Sequence, residues 1–307
     1  VNLPTETGLR KAYEDARASK IEAYVDNVKQ EPLIANLPKA GKILSEKDSK
    51  KFGYKELTLS NGARVLLKKT NLKEGEVLFN GSSKGGKSLY DAKERVNLDL
   101  FNAVISYSGL GNFSSTELQK VLAGKNANVN LSLANLHEYV SGSCTPKDME
   151  TMFQMNYLYF TNIKKDEQAI GNLLNQYKMA LKNKALSPES ALSDSLQYTL
   201  HAHSPWYYSL EEKDIDNVNY DRILQIAKER TANAADFTFT IVGNFDETLV
   251  RQYIETYIAS LPSVKKGKKF VHENFNKISK YATGTVDNTF HRKMETPKSN
   301  ICMFWYN

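Results

Sequence analysis

The residues of this chain that are best suited to metal chemistry are its five histidines, because neutral imidazole is a common zinc ligand. Two histidines four residues apart on a helix, with a glutamate after the first, can bind zinc and activate its bound water. His137 and His272 are each followed by glutamate and begin this pattern, but Ser141 and Asn276 stand where the second histidine belongs. Neither pattern is complete, so the sequence predicts no zinc site at either place.

A second candidate is the phosphate-binding pattern G-x-x-x-x-G-K-[ST], which residues 81–88 (GSSKGGKS) match. In a nucleotide-binding protein, Lys87 would contact the β- and γ-phosphates and Ser88 would bind magnesium. That interpretation needs a parallel sheet and an apolar strand that ends in aspartate, and the sequence favours neither. A strand-to-helix turn with glycines at positive φ is favoured instead. Nucleotide binding through Gly81–Ser88 is kept as a remote alternative.

The composition limits the classes of protein to consider. The chain has 307 residues, 41% of them hydrophobic, and a formal charge of +6. Its lysines are dispersed apart from a cluster at residues 265–269, and no aromatic-interleaved basic motif points to nucleic acid. No apolar run reaches membrane-spanning length, and the first residues lack the layout of a signal peptide. Cys144 and Cys302 make neither a disulfide framework nor a zinc cluster.

The elements that must position any site begin with a charged helix over residues 5–28 and a linker over residues 31–53. A hairpin follows, with strands on either side of Ser60-Asn61-Gly62, in which the Asn-Gly dipeptide is typical of short turns with positive φ at both central positions. A short strand, Val77 to Phe79, then leads through the glycine-rich loop into a helix over residues 92–104.

The rest of the chain predicts strands followed by helices, which favours an α+β fold: an antiparallel sheet with helices packed on one face. Alternating polarity predicts strands over residues 128–133 and 139–143, and a last strand begins near Asp236. Helices are predicted from Thr145, over 165–184, and from Ser187, Asn219 and Asp246, the last ending at Pro262. Two further strands are predicted at 288–293 and 299–306, after which the chain stops inside an apolar run, as a piece of a longer polypeptide would.

Several motifs in this order resemble domains of the pitrilysin/insulinase-type zinc metallopeptidase family, which includes the mitochondrial processing peptidase and inactive complex subunits. The motifs are LTLSNGARVLLKKT (57–70), Gly109–Leu133, Gly142–Asn162, TIVGNFD (240–246) and SLP (260–262). The resemblance implies the second half of a two-half enzyme. Residues 1–50 would be a connecting helix and linker, 51–263 an inactive peptidase-like third domain, and 264–307 the truncated start of a fourth.

The family's zinc motif, His-x-x-Glu-His, lies on its first long helix, which here is Ala92–Val104 and contains no histidine. The resemblance therefore implies no catalytic residue and no metal ligand in this chain, and it leaves the substrate-binding residues unknown. His201 and His203 lie before Pro205 in a region that the resemblance marks as structural, so a metal there is disfavoured.

The function that the resemblance implies is a non-catalytic C-terminal-half domain, which closes against a zinc-bearing N-terminal half, of the same or a partner chain, around a peptide substrate. Peptides in this family add to a sheet edge. Asn128, Asn130 and Ser132 could form a chamber wall, or they could be ordinary solvated sheet. The alternative is a non-enzymatic scaffold or partner-binding subunit. The compartment follows from the resemblance only: the chain looks like the lysine-rich two-half proteins of Gram-negative bacteria, which implies the periplasm or cell envelope.

Overall fold

The computed structural model describes residues 4–20, 29, 31–264, 278, 280–291 and 298–305. The chain divides into two compact units, residues 1–30 and 31–307. The first unit contains helix α1, Glu6–Ala18, whose first turn is capped because the Gly8 N–H donates to the Thr5 hydroxyl at 3.2 Å. The helix predicted over residues 5–28 is therefore confirmed up to Ala18, and residues 21–28 lie outside the described part.

The second unit is built on a seven-stranded sheet in the order β1-β2-β3-β9-β4-β7-β6. Its strands are β1 Ile43–Ser49, β2 Tyr54–Leu59, β3 Arg64–Lys69, β4 Val77–Lys84, β6 Ala127–Leu133, β7 His137–Cys144 and β9 Thr238–Gly243, while β5 Gly109–Leu110 and β8 Ile163–Lys164 form a separate pair. Only β3 and β9 run parallel, and the other neighbours are antiparallel. The sheet is thus mixed and not wholly antiparallel as predicted, because β9 arrives after a long helical segment and inserts between β3 and β4.

Helices α2 Arg95–Ser106 and α4 Met149–Thr161 pack on one face of this sheet. The other helices of this unit are α3 Ser115–Val121, α5 Glu167–Lys184, α6 Pro188–Leu200, α7 Tyr220–Thr231 and α8 Glu247–Tyr253, the last followed by a π-turn at Ile254–Ile258. The aromatic centre of the core lies between α4 and the sheet: Phe153 of α4 contacts Phe79 with ring centroids 6.0 Å apart, and Phe160 contacts Phe239 at the same distance. The α+β prediction is confirmed.

Three predicted helix starts are confirmed by their caps: the side chains of Ser187, Asn219 and Asp246 each accept a hydrogen bond from the backbone of the first turn. Thr145 differs, because its hydroxyl donates to the Asp148 carboxylate at 2.6 Å instead of accepting from the helix. Residues 146–148 form a 3₁₀ turn, and α4 begins only after it.

The hairpin between β2 and β3 and its loop Ser60-Asn61-Gly62 are confirmed, but the positive φ predicted at Asn61 does not occur. Gly62 has a φ of 90°, whereas positive φ among the described non-glycine residues occurs only at Ala202 and His203. The Gly62 N–H bonds to the Leu59 carbonyl and the Leu59 N–H to the Ala63 carbonyl, so the loop has three residues with glycine in the left-handed position. Asn61 instead donates its side-chain amide to the Ile258 carbonyl at 2.8 Å and ties the turn to the end of the last helix.

Strands extend further than the sequence indicated in two places. Residues 43–49, predicted as linker, form β1, whose charged sequence hides its strand character because most of its residues are exposed at the sheet edge. The strand predicted over residues 77–79 continues as β4 to Lys84, because Gly81 leaves room for the ring of Phe239 on the core face.

The predicted strands near the end of the chain are not formed by residues 288–291 or 299–305. The remaining residues of those two predictions, 292–293 and 306, lie outside the described part, as do the lysine cluster at 265–269 and His272. Within the residues that the structure describes, no helix is long and apolar enough to cross a membrane.

Candidate peptide-binding surface

The helix that would carry a zinc motif, α2, uses its polar residues for ion pairs. Asp99 receives Lys87 Nζ at 2.8 Å and Arg95 Nε at 2.9 Å, and Arg95 also donates to the Pro205 carbonyl at 3.1 Å. Because both carboxylate oxygens already accept from cations, Asp99 is arranged to fix α2 against the preceding turn. These contacts are structural, and none of them points toward a free reactive group.

His137, His201 and His203 each lie against a tyrosine ring. His201 is 6% exposed, its ring stacks on Tyr207 with centroids 3.4 Å apart, and its Nδ1 lies 3.1 Å from the Lys280 carbonyl oxygen. His137 stacks on Tyr139 instead. No cluster of three or more potential metal ligands occurs among the residues with described positions. The site prediction of no metal and no catalytic residue stays a prediction, since His272 lies outside them.

The segment Gly81–Ser88 does not form a phosphate-binding loop. Its first four residues belong to β4 and pair with β7. The backbone N–H of Gly86 donates to Glu138 Oε2 at 2.8 Å, and those of Lys87 and Ser88 donate to carbonyl oxygens of residues 134 and 135. Phosphate binding depends on such N–H groups being available, and here they already have acceptors. The geometry therefore opposes nucleotide binding, which was the remote alternative.

Glu138 is a buried acid that the sequence analysis noted only as the glutamate after His137. Its carboxylate is 1% exposed on the core side of β7 and lies 3.7 Å from Arg230 Nη1. Burial raises the pKa of this carboxyl, and the Gly86 N–H and Arg230 act against that rise. The group holds the turn before α2 in place. The sequence indicated this buried acid only by its position: Glu138 falls where the alternation of polar and apolar residues along β7 places side chains in the core.

The face of the sheet away from the helices is open, and one half of it carries no charge over three rows of cross-strand neighbours. None of these side chains is buried. From β9 to β6 the rows are Thr238, Ser82, Tyr139, Ser132; Thr240, Asn80, Ser141, Asn130; and Val242, Leu78, Ser143, Asn128. Charged side chains flank this area at Arg64 and Lys68 on β3 and at Lys84 at the end of β4. We call the twelve residues the uncharged face.

The uncharged face ends at β6, which is the outermost strand on its side of the sheet. Neighbouring residues of a strand direct their N–H and C=O groups to opposite sides. Leu133 directs its groups away from β7, toward Asn102, so Ala127, Val129 and Leu131 also direct theirs outward. Within the described part of the chain, no hydrogen bond reaches the outward groups of these three residues. We call residues 127–131 the β6 edge.

Unpaired N–H and C=O groups on an edge strand can form a template for strand addition. Val129 and Leu131 are only 2% and 3% exposed, so this edge would have to be uncovered before another chain could pair with it. The sequence predicted that Asn128, Asn130 and Ser132 share a polar face, and the structure confirms that they lie together on the open side of β6. It did not reveal that β6 is an edge strand, or that Asn102 of α2 contacts its end, because both depend on the order of strands in the folded sheet.

Sequence comparisons identify relatives among zinc proteases. No protein-family model matches the chain. It is 22% identical, over 77% of its length, to the zinc protease PQQL-like protein of Arabidopsis thaliana, and 26% identical, over 79%, to the probable zinc protease PqqL of Escherichia coli strain K12. The chain spans about a quarter of these relatives: 22% of the first and 26% of the second.

Solved structures share the fold. The periplasmic protease PqqL from Escherichia coli matches 86% of this chain and 29% of its own with a TM-score of 0.67 at 23% identity. The peptidase M16 inactive domain from Pseudomonas fluorescens matches 71% of this chain and 53% of its own with a TM-score of 0.56 at 14% identity. The second match is to a domain that its authors describe as inactive.

Proposed function

Since the chain belongs to the pitrilysin/insulinase-type zinc proteases, we propose that it is a non-catalytic C-terminal-half domain that binds peptide within a zinc protease. In this proposal, the inactive domain comprises the predicted residues 51–263 together with β1, Ile43–Ser49, which belongs to the same sheet. The residues before β1 connect it to what precedes, and 264–307 begin a further domain. A zinc-bearing N-terminal half, of the same or a partner chain, supplies the metal and cleaves the peptide bond.

The observation that carries the proposal is the uncharged face together with the β6 edge, whose outward N–H and C=O groups have no partner among the described residues but are shielded in this structure. An extended peptide that adds to Ala127, Val129 and Leu131 gains main-chain hydrogen bonds that do not depend on its sequence. The uncharged side chains beside the β6 edge would contact the peptide without favouring either positive or negative peptide residues. A wall of this kind suits a chamber that must accept many peptides and release them.

The chain is much shorter than its relatives, and this supports the proposal that a further, zinc-bearing half exists. The chain corresponds to 26% of the length of the E. coli zinc protease, so most of such a protein lies outside the matched region. The E. coli structure is described as periplasmic, and we propose the same compartment, the periplasm or cell envelope of a Gram-negative bacterium, for this chain. A scaffold or partner-binding subunit is the alternative, and α2 without histidine is compatible with both.

Backbone amide exchange tests the peptide-binding part. The 307-residue chain is mixed with a synthetic decapeptide of alternating threonine and valine, and exchange is followed residue by residue. The proposal expects slower exchange at Ala127, Val129 and Leu131 and unchanged exchange on β1, at the opposite edge. If peptide at millimolar concentration slows no amide of β6, the β6 edge is not a peptide site.

Elemental mass spectrometry tests the non-catalytic part. The purified chain, dialysed without chelator, should contain close to no zinc per mole, because α2 offers no histidine. About one zinc per mole would contradict the proposal and would direct attention to His137, His201, His203 and His272. If the chain contains no zinc, as the proposal expects, mixing it with a zinc-bearing partner half should give peptidase activity.

A further inference from the structure

Two loops at one end of the sheet each expose a large apolar side chain. Residues 50–53, between β1 and β2, contain Phe52, which is 57% exposed. Residues 70–76, between β3 and β4, contain Leu72, which is 91% exposed. Neither side chain fills the core, so both are available to a partner.

The two loops lie side by side. β2 and β3 are antiparallel neighbours, with Lys55 opposite Leu67, so the first loop and the end of β3 meet at the same end of the sheet. The Nζ of Lys68 donates to the Phe52 carbonyl oxygen at 2.9 Å, and Leu72 follows Lys68 by only four residues. Four residues span at most about 14 Å, so Phe52 and Leu72 belong to one small surface.

Lysines that are dispersed in the sequence come together around these two side chains. Five of them are exposed there: Lys50, Lys51, Lys68, Lys69 and Lys73. Three acids lie in or next to the same segments: Asp48, Glu74 and Glu76. Lys73 pairs with Glu76 at 2.8 Å, so four lysines and two acids remain and positive charge is in excess. We call Phe52, Leu72 and the five lysines the basic tip.

The ring of Phe52 is held in place at the end of its loop. It stacks on Tyr54 with centroids 6.3 Å apart and ring planes at 11°, and Lys51 Nζ lies 5.2 Å from its centroid. Gly53 has a φ of 62°, and its N–H donates to the Ser49 carbonyl oxygen at 2.7 Å, which closes the turn. An apolar ring with a cation beside it, carried on a closed turn, suits the boundary between lipid headgroups and acyl chains.

We propose that the basic tip docks on a membrane surface that contains anionic lipids. Its lysines are complementary in charge to the headgroups, and Phe52 and Leu72 enter the apolar layer just below them. A soluble polyanion, such as an acidic protein or a nucleic acid, would pair with the lysines but would gain little from two apolar side chains at the ends of loops. The proposal is independent of peptide binding at the β6 edge, because β6 lies at the opposite edge of the sheet from β1.

Attachment through the basic tip is weak and reversible. An anionic leaflet changes the partitioning of one nearby lysine about fivefold, and the excess of positive charge is small. Because the lysines are exposed, salt screens this attraction. The two apolar side chains supply the rest, so both kinds of contact are needed.

Vesicle sedimentation of the full chain tests the proposal. The protein is mixed at low salt with vesicles of equal parts phosphatidylglycerol and phosphatidylcholine, or of phosphatidylcholine alone. It should bind the anionic vesicles, bind the neutral ones much less, and be released from both at high salt. Phe52→Ser and Leu72→Ser should each lower partitioning to the anionic vesicles about tenfold. The double variant Lys50→Ala with Lys51→Ala should lower it about twentyfold.

Leu186→Ser is the matched control, because Leu186 is 80% exposed in the loop between α5 and α6, outside the basic tip. It should partition as the wild type does. Thermal melts of all these variants should match the wild type, since every replaced side chain is exposed.

Equal binding to both kinds of vesicle, or binding to neither, overturns the proposal. A loss in Leu186→Ser as large as that in Leu72→Ser overturns it as well. If the double lysine variant loses binding while Phe52→Ser and Leu72→Ser bind as the wild type does, the contact depends on charge alone, and a soluble polyanion replaces the membrane as its partner.

Discussion

The two edges of the sheet are built in opposite ways. β1 carries three charged residues in a seven-residue strand and has an irregular register between Ile43 and Ser45. β6 carries no charged residue and keeps an even register with β7 over its whole length. Charges and bulges on an edge strand discourage pairing with another chain, and their absence invites it.

The charges of β1 also attach it to the helix layer. Glu46 accepts from Arg251 at 2.7 Å and lies 3.5 Å from Lys55, and Lys55 in turn pairs with Glu247. β6 has no such cluster on its open side, where the contact is the neutral hydrogen bond from Asn128 Nδ2 to Ser143 Oγ at 2.9 Å. The β1 edge is charged and fastened to the helices, whereas the β6 edge carries no charge and its outward main-chain groups have no partner among the described residues. The comparison is why we assign peptide binding to β6 rather than β1.

Proline substitution at matched positions should give the largest difference between the edges. Val129→Pro removes an outward N–H of β6 and keeps the ladder to β7, so it should abolish decapeptide binding. Asp48→Pro makes the same change at an outward position of β1 and should leave binding unchanged. Proline is tolerated where an edge N–H faces outward. Affinity is measured by fluorescence anisotropy of labelled peptide.

Circular dichroism checks that both proline variants keep their fold. Val129 is buried, so its replacement should lower the free energy of unfolding by about 1–3 kcal/mol, more than the replacement of exposed Asp48. A folded Val129→Pro that still binds the decapeptide at the wild-type level would show that the peptide does not pair with the β6 edge.

Exchanging charge between the edges should have a smaller effect. Lys47 and Asn130 lie at opposite ends of one row across the open face. Asn130→Lys should weaken binding of a lysine-containing decapeptide about fivefold, because two like charges about 4 Å apart in water repel by about 1 kcal/mol. High salt should reduce this loss. Lys47→Asn should change nothing, and an equal loss in both variants would contradict the assignment of the site to β6.

The sequence predicted the side of β6 but not its role as an edge. Alternation over residues 128–133 defined which side chains share a face, because side-chain direction in a strand depends only on local geometry. Which strand ends the sheet depends on where β9 inserts, and that is decided by packing between residues far apart in the chain. Asn102 and Leu133, 31 residues apart, meet for the same reason.

Prediction from the sequence failed where the local residue pattern does not reflect the surroundings of the segment in the folded chain. β1 reads ILSEKDS and lacks alternating apolar residues, since an exposed edge strand buries little. Residues 299–305 have strand-like apolar composition but form no strand, which shows that apolar composition alone does not supply a pairing partner. In the glycine-rich segment, the motif matched a phosphate loop letter by letter, and only the structure revealed that its N–H groups are already bonded.

Acid should loosen β1 and leave β6 unchanged, which is the smallest expected difference. Hydrogen bonding from Arg251, with help from Lys55, lowers the pKa of Glu46. A carboxyl whose pKa is lowered in the folded state stabilises the protein at pH values above the pKa that this carboxyl has in the unfolded chain. That stabilisation is lost as the pH falls through the pKa of the folded state. Glu46→Gln should therefore lower the free energy of unfolding at pH 7 by about 0.5–1 kcal/mol, as its pair is partly exposed.

At a pH below the folded pKa of Glu46, wild type and Glu46→Gln should be equally stable in thermal melts. Asp48→Asn is the matched control on the same strand, because Asp48 is exposed and makes no ion pair among the described residues, so it should match the wild type at both pH values. Decapeptide binding to β6 should be the same in all three proteins. A Glu46→Gln variant that binds less peptide would mean that the two edges are coupled through the sheet and that β6 is not an independent site.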